Sequence, residues 1–136
     1  MTIEKNLYMN AGLLWLRIFM GAGVAMHGYG KIFGGRIEMF TQGVADMGFP
    51  FPGVFAWAAA LSEFVGGILI GMGLATRWAA FFVFATMSVA AFIRHSADPF
   101  STKELALAYW TMAGALLLTG GGRLSLDYFL RSTKSS

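Results

Sequence analysis

The stretch VFAWAAALSEFVGGILIGMGLA, residues 54–75, decides the fold. It is long and apolar enough to cross a bilayer as one helix, which takes about 20 residues, and it carries a single charge, Glu63, near its middle. A second apolar stretch, residues 8–26, is interrupted in the same way by Arg17. A charge at the bilayer centre costs at least about 2.5 to 3.5 kcal/mol, so each group needs a polar partner. We therefore predict that Arg17 and Glu63 lie at similar depth inside a helical bundle and pair with each other.

The composition of the chain supports a membrane setting. Of its 136 residues, 57% are apolar and 12% are charged, against about 45 to 50% and 25% in ordinary soluble domains. Charge this sparse predicts one transmembrane domain over residues 1–136, with membrane lipid as its surroundings. The net charge of +3 comes without a run of consecutive cationic residues, which argues against nucleic acid as a partner. The absence of cysteine excludes disulfides, thiolate metal ligands and dithiol redox chemistry within the chain.

Four apolar segments predict an all-α fold, an integral membrane four-helix bundle. The third and fourth segments reach the required length when their polar flanks are included, because long side chains extend to the membrane interface. The predicted spans are residues 8–28, 54–75, 77–94 and 103–120. An even number of spans places both termini on one side of the membrane.

Between the first two spans, the sequence predicts a short helix lying in the membrane interface. Ile37, Phe40, Val44 and Met47 recur at helical spacing. The proline-containing stretch 48–52 then ends this helix, since proline lacks an N–H and disfavours helical geometry in the residue before it.

Cationic residues at the ends of the spans favour cytoplasmic termini. The side with the termini holds Lys5, Arg77, Arg123, Arg131 and Lys134, and the other side holds Lys31, Arg36, Arg94 and Lys103. Cytoplasmic loops carry the excess of lysine and arginine in membrane proteins, so five against four predicts termini in the cytoplasm.

Ionisable residues gather at the side opposite the termini. His27 and Lys31 lie one helical turn apart at the end of the first span, and Arg94 and His95 begin the loop after the third span. Such a cluster suits a small anion or a quinone carbonyl, and it equally suits lipid phosphates at an ordinary interface. A bis-histidine haem needs a porphyrin-wide gap between the two imidazoles, of which the sequence gives no sign. We expect no metal centre.

The arrangement of residues resembles the DoxX family of small four-helix bacterial membrane proteins over nearly the whole chain. The residues that carry the resemblance are Leu16–Arg17 with Gly21, His27–Gly34, Gly48–Pro52, Glu63 before Gly66–Gly67, Leu74–Arg77 and Gly122–Asp127. The resemblance implies a multi-pass protein of the bacterial inner membrane, in a family named for a subunit associated with quinone-linked thiosulfate oxidation and terminal quinol oxidation. The resemblance implies that the family's recurrent polar positions fall on Arg17, His27, Lys31, Glu63 and Arg77.

The leading hypothesis from the sequence is a DoxX-like inner-membrane protein that supports quinone-linked redox chemistry, as a subunit of a membrane oxidoreductase complex. No intrinsic cofactor is expected beyond a bound quinone, a redox partner protein would hold the electron-transfer group, and no catalytic residue is assigned. The predicted ligand-binding residues are Arg17, His27, Lys31, Glu63, Arg94 and His95.

Other hypotheses stay open at this stage. The main alternative is a non-catalytic membrane scaffold or assembly factor whose buried ion pair is structural, because a buried pair can fix one helix arrangement. A small-solute transporter fits less well, since four short helices leave little room for two gated halves. Gly67 and Gly71 suit either a homo-oligomer interface or packing within one chain.

Overall fold

A computed structural model describes residues 2–134, and every regular element in this range is a helix. The six α-helices are α1 (Thr2–Ile32), α2 (Ile37–Asp46), α3 (Pro52–Met72), α4 (Thr76–Val89), α5 (Phe100–Thr119) and α6 (Leu126–Lys134). A π-helical turn, Ala90–Arg94, continues α4. The all-α prediction is confirmed for the described part of the chain. The predicted single domain also includes residues 1, 135 and 136, which lie outside it.

Three helices are long and apolar enough to cross a membrane. They are Ile3–Ile32, Pro52–Met72 and Thr76–Arg94, and they correspond to the first three predicted spans. The fourth predicted span is a helix of 20 residues, α5, but it is not among these three. Its first turns carry Lys103 and Glu104, which lower the hydropathy of any window that includes them.

The largest contact between helices joins α1 to α3. The two helices run antiparallel with their backbones in contact. A Cβ atom added to Gly67 would lie only 2.5 Å from the backbone nitrogen of Ala25 and 2.6 Å from the backbone oxygen of Gly21. One turn further along, Gly28 lies directly against the backbone of Ala60. Small residues at these positions let the backbones touch. Gly67 is thus used for packing within the chain, as one of the two sequence interpretations predicted.

The hydrophobic core lies where α1, α3, α4 and α5 meet. Its buried residues are Met20, Val24, Ile70, Ala79, Ala80, Val83, Met87, Ala113 and Leu116. Between α4 and α5, the ring of Trp110 stacks on Phe84 and its Nε1 donates a hydrogen bond of 3.0 Å to Ser88 Oγ. The core therefore includes α5 as well as the three long apolar helices.

The segment after α5 is fastened to the α3–α4 turn and to α1. Asp127 accepts backbone hydrogen bonds from Ala75 (2.8 Å) and Thr76 (2.9 Å) in the α3–α4 turn. The backbone N–H of Arg123 donates to Asn10 Oδ1 at 2.7 Å, which joins the same segment to α1. Ala75 has a left-handed backbone with φ 46°, a conformation costly for a residue with a Cβ. The Asp127 carboxylate holds that turn in place.

The short helix predicted between the first two spans is confirmed as α2, and it packs against α3. Val44 is its buried residue. The predicted end of the helix at the proline-containing stretch is also close to the observed one, because α2 ends at Asp46 and α3 begins at Pro52. This helix covers one end of the bundle, and that position determines the candidate site.

We predict that Gly67→Ala destabilises the fold. The added methyl group meets backbone atoms of α1, which cannot rotate away, so α1 and α3 must separate at a cost of about 1 to 3 kcal/mol. Gly12→Ala is the matched control, since a Cβ there has no neighbour within 4 Å. The measurement is the free energy of unfolding in a detergent–SDS titration. Equal stability of the two variants would contradict the close contact.

We predict that the Asp127 interaction makes stability depend on pH in the acid range. Burial raises the pKa of Asp127, but the hydrogen bonds from Thr76 and Ala75 and the charge of Arg131 outweigh it and hold the pKa below its ordinary value. The stabilisation is therefore complete above about pH 4 and is lost as the pH falls through the lower folded-state pKa.

Asp127→Asn should lower the free energy of unfolding by about 1 to 2 kcal/mol at neutral pH and flatten its decline in acid. Glu104→Gln, which removes an exposed carboxylate on α5, serves as the control. An acid-unfolding profile of Asp127→Asn that superimposes on the wild-type profile would refute the assignment.

Candidate functional site

The buried carboxylate of Glu63 pairs with Lys31. Lys31 Nζ lies 2.8 Å from Oε1 and 2.7 Å from Oε2, so both carboxylate oxygens are hydrogen-bonded to one ammonium group. The Glu63 side chain is 5% exposed and that of Lys31 is 22% exposed. Charge-assisted hydrogen bonds of this kind are about twice as strong as neutral ones. The predicted pairing of Glu63 with Arg17 is wrong.

Helix register explains this correction. Gly21 of α1 faces Gly67 and Gly71 of α3, and Gly28 faces Ala60 and Phe64. Glu63 is therefore level with Gly28, within one turn of Lys31. Arg17 is level with the end of α3, because α1 extends past the bundle and residues 3–9 are all exposed. The sequence-based estimate of equal depth assumed that both helices are centred on the same plane.

Arg17 is a buried structural group at the other end of the molecule. It is completely buried, its Nη2 donates a hydrogen bond to the backbone oxygen of Leu124, and its guanidinium lies against Gly73. Attraction from the Asp127 carboxylate opposes the cost of burying this charge. Two of its donor atoms, Nε and Nη1, have no hydrogen-bond partner among the described residues. Arg17 thus ties the C-terminal segment to α1 and does not line the cavity described next.

A cavity of about 700 Å³ surrounds the Lys31–Glu63 pair. We call it the α2 cavity, because α2 lies over it while α1, α3 and α4 form its other walls. Its ionisable lining residues are His27, Lys31, Arg36, Glu63, Arg94 and His95. Its volume is within the range of about 300 to 1,000 Å³ that is usual for small-molecule sites.

The remaining walls of the α2 cavity are largely apolar. Side chains from α2 and the following loop, among them Met39, Phe40 and Phe49, face Phe55 of α3 and Phe82 of α4. The ring of Phe40 lies 4.1 Å from Lys31 Nζ, a cation–π distance that links α2 to the ion pair. An apolar chamber with a few convergent polar groups is the usual form of a ligand site.

The π-helical turn shapes the polar end of the cavity. It adds a residue to the last turn of α4, and Ala90, Arg94 and His95 all line the cavity. The guanidinium of Arg94 lies beside Gly43 of α2. Isolated π-helical turns are frequent at functional sites, where they redirect side chains that a regular helix would place elsewhere.

The imidazole of His95 is oriented by a carboxylate. Its Nδ1 lies 2.6 Å from Asp98 Oδ2, so in the neutral ring Nδ1 carries the proton and Nε2 is left as an acceptor. The ring of His27 contacts Tyr109 of α5 edge to face at 5.9 Å between centroids. The two histidines are therefore different chemically, one fixed by an acid and the other packed on a phenol.

The structure brings together five of the six residues predicted to bind a ligand, and it separates Arg17 from them. Sequence reasoning missed Arg36, which lines the same cavity and donates from Nε to the Gly30 backbone oxygen at 3.3 Å. It also missed the role of α2 as a cavity wall. The available signal was the position of this amphipathic helix directly after Lys31. Among the described residues there is no group of three or more histidine or acidic side chains placed to hold a metal ion.

Two comparisons of the sequence with known proteins give a match. The family model described as DoxX matches residues 12–96, which include most of α1, all of α2 to α4 and the lining of the α2 cavity. An uncharacterized protein of Haemophilus influenzae is 34% identical over 122 residues, covering 85% of this chain and 87% of its own length. No solved structure matches the chain.

We predict that a double-mutant cycle will detect coupling between Lys31 and Glu63. Lys31→Met leaves a buried carboxylate without its cation and should cost about 3 to 5 kcal/mol, whereas the double variant Lys31→Met/Glu63→Met should recover part of this loss. The cycle Arg17→Met with Glu63→Met is the control and should be additive within about 0.5 kcal/mol. Unfolding free energies in detergent provide both cycles. Coupling in the Arg17 cycle alone would restore the rejected pairing.

Proposed function

This chain belongs to the DoxX family of membrane proteins, and from that premise we propose that it binds a quinone in the α2 cavity. In this role it supports quinone-linked redox chemistry as a subunit of a membrane oxidoreductase complex. The observation that carries the proposal is one cavity that combines a buried Lys31–Glu63 pair with long apolar walls.

The lining residues fit the chemistry of a quinone. A quinone head group offers two carbonyl acceptors on a flat ring, and donors are available from Lys31, Arg94 and His27. Aromatic side chains such as Phe40 and Phe82 suit the ring and the start of an apolar tail. A bound quinone supplies two-electron redox chemistry coupled to proton uptake and release. The protein side chains bind the quinone, orient it and hold or move the protons.

Glu63 and His95 are the groups suited to holding or moving a proton. The Glu63 carboxylate is buried and holds the Lys31 ammonium group through both of its oxygens. His95, oriented by Asp98, lies at the exposed end of the same cavity. Together they offer a proton acceptor inside the bundle and another at its mouth. Lys31 and Arg94 orient the ligand by charge.

The electron donor or acceptor must come from another protein in this proposal. The chain has no cysteine, so it has no dithiol of its own. The loop after the π-helical turn, residues 95–99, is exposed beside the cavity mouth apart from the half-buried His95. We place the redox partner at this end, and we assign the protein to the bacterial inner membrane with cytoplasmic termini.

The proposal includes α5 as a fourth membrane span. Ala113 and Leu116 are fully buried in the common core. The helix also begins beside the cavity end and finishes beside the C-terminal segment, so it follows the full length of α4. With α5 counted, the proposed architecture is the four-helix bundle expected from the sequence, with both termini on one side of the membrane.

A structural role for the ion pair remains the second candidate function. The hydrogen bonds from the Lys31 ammonium group to both Glu63 oxygens would equally serve to fix α1 against α3. In that case the protein would be a non-catalytic scaffold or assembly factor. The two functions differ in whether the cavity has a ligand.

We predict that the purified protein in lipid nanodiscs binds a short-chain ubiquinone analogue with saturable affinity. His27→Ala should weaken binding about tenfold or more, the loss expected for one well-placed hydrogen bond. Glu63→Gln should weaken binding to a similar extent, because the Lys31 ammonium group is then no longer held in position by both carboxylate oxygens. Fluorescence quenching of the four tryptophans and native mass spectrometry measure the binding.

Lys103→Gln is the matched control at the same end of the protein. Lys103 donates to the Ser96 backbone oxygen at 3.1 Å and does not line the cavity, so this variant should bind like the wild type. Wild-type protein that binds no quinone analogue would refute the proposal. A Lys31→Met/Glu63→Met variant that keeps both fold and cellular activity would favour the scaffold.

A further inference from the structure

A second concave site lies at the opposite end of the bundle from the α2 cavity. It has a volume of about 370 Å³ and lies between the α3–α4 turn, the end of α5 and α6. We call it the terminal pocket. The lining residues that matter here are Thr76, Arg77, Trp78, Tyr128 and Arg131, together with Asp127.

The terminal pocket carries a positive charge that its own acid does not cancel. Arg77 and Arg131 line it and are exposed, and Asp127 is the one acidic side chain among its described lining residues. Both Asp127 oxygens already accept backbone hydrogen bonds from Ala75 and Thr76. Buried Arg17 adds another positive charge that acts on Asp127. Two lining arginines thus face one carboxylate, and the pocket keeps a net attraction for an anion.

The position of Arg77 is fixed by the fold. Its Nη2 donates to the Leu118 backbone oxygen at 3.1 Å, and its Nε lies close to Gly120. This bond holds the guanidinium across the end of α5. A planar guanidinium held in this way matches the oxygens of a phosphate group.

The residues around the pocket are of the kinds that are found at a membrane interface. Trp78 on its rim is 71% exposed and Tyr128 is 42% exposed, and such aromatic residues are enriched at the level of lipid headgroups. In α6 no residue is buried against the protein, and Phe129 and Leu130 are exposed beside the cationic Arg131. A helix of this composition lies on a membrane with its apolar side chains among the acyl chains.

We infer that the terminal pocket binds the phosphate of an anionic phospholipid headgroup, with Arg77 and Arg131 as its ligands and α6 beside the acyl chains. Thr76 also lines the pocket. This site is independent of the quinone proposal, because it lies at the other end of the bundle and shares no lining residue with the α2 cavity.

Native mass spectrometry of the full chain from nanodiscs containing equal phosphatidylglycerol and phosphatidylethanolamine tests this inference. The wild type should retain phosphatidylglycerol in preference to phosphatidylethanolamine. Arg77→Gln/Arg131→Gln should lower its retention, by about fivefold for each arginine removed. Arg131→Gln alone gives the same test with less risk to folding, since Arg131 lies on exposed α6.

The control removes two cations from the same end of the protein but outside the pocket. Lys5→Gln/Lys134→Gln should retain phosphatidylglycerol like the wild type, because neither lysine lines the terminal pocket. An equal loss in this control and in the arginine variant would overturn the site and leave only general surface attraction. Inorganic phosphate that protects the protein against thermal unfolding, where phosphatidylglycerol does not, would also overturn the lipid assignment.

Discussion

The close contact between α1 and α3 is the constraint on which the rest of the structure depends. Gly67 and Gly28 allow two backbones to touch, and this contact sets the relative height of the two helices. A shift of one turn would move Glu63 away from Lys31 and expose a charge to the apolar interior. Because an unpaired buried charge costs several kcal/mol, the glycines and the ion pair select the same register.

That register divides the polar residues of the bundle between two ends. At one end, Arg17 and Asp127 fasten the C-terminal segment to the rest of the fold through backbone partners. At the other end, Lys31 and Glu63 lie inside a chamber large enough for a ligand. The motifs that carry the family resemblance fall into the same two groups. Leu74–Arg77 and Gly122–Asp127 meet at the first end, whereas His27–Gly34 and Glu63 meet at the second.

The two cations inside the bundle, Arg17 and Lys31, differ in what their surroundings allow them to do. The guanidinium of Arg17 is fully enclosed and bonded to a backbone oxygen, so it is in no position to meet a small molecule. Lys31 is partly exposed to a cavity and is paired there with the Glu63 carboxylate. The π-helical turn, the helix over the cavity and the Asp98–His95 contact are all features of this second end. The quinone site is accordingly proposed at the end that holds Lys31 and Glu63. The end that holds Arg17 and Asp127 has a structural role, apart from the proposed lipid site in the terminal pocket.

The sequence by itself determined the helical class, the positions of the first three spans, the short helix after Lys31 and five of the residues around one cavity. The spacing of apolar residues and the positions of charges within apolar stretches suffice to predict these features, because both can be seen from residues that are close together in the sequence. Only the tertiary structure decided which charge meets which. Arg17 and Glu63 are each near the middle of an apolar stretch, but α1 extends beyond the bundle and contacts α3 at a height set by the close contacts of Gly21, Gly28 and Gly67. The partners of Arg17 come from residues after α5, and no local pattern in the sequence records that distant contact.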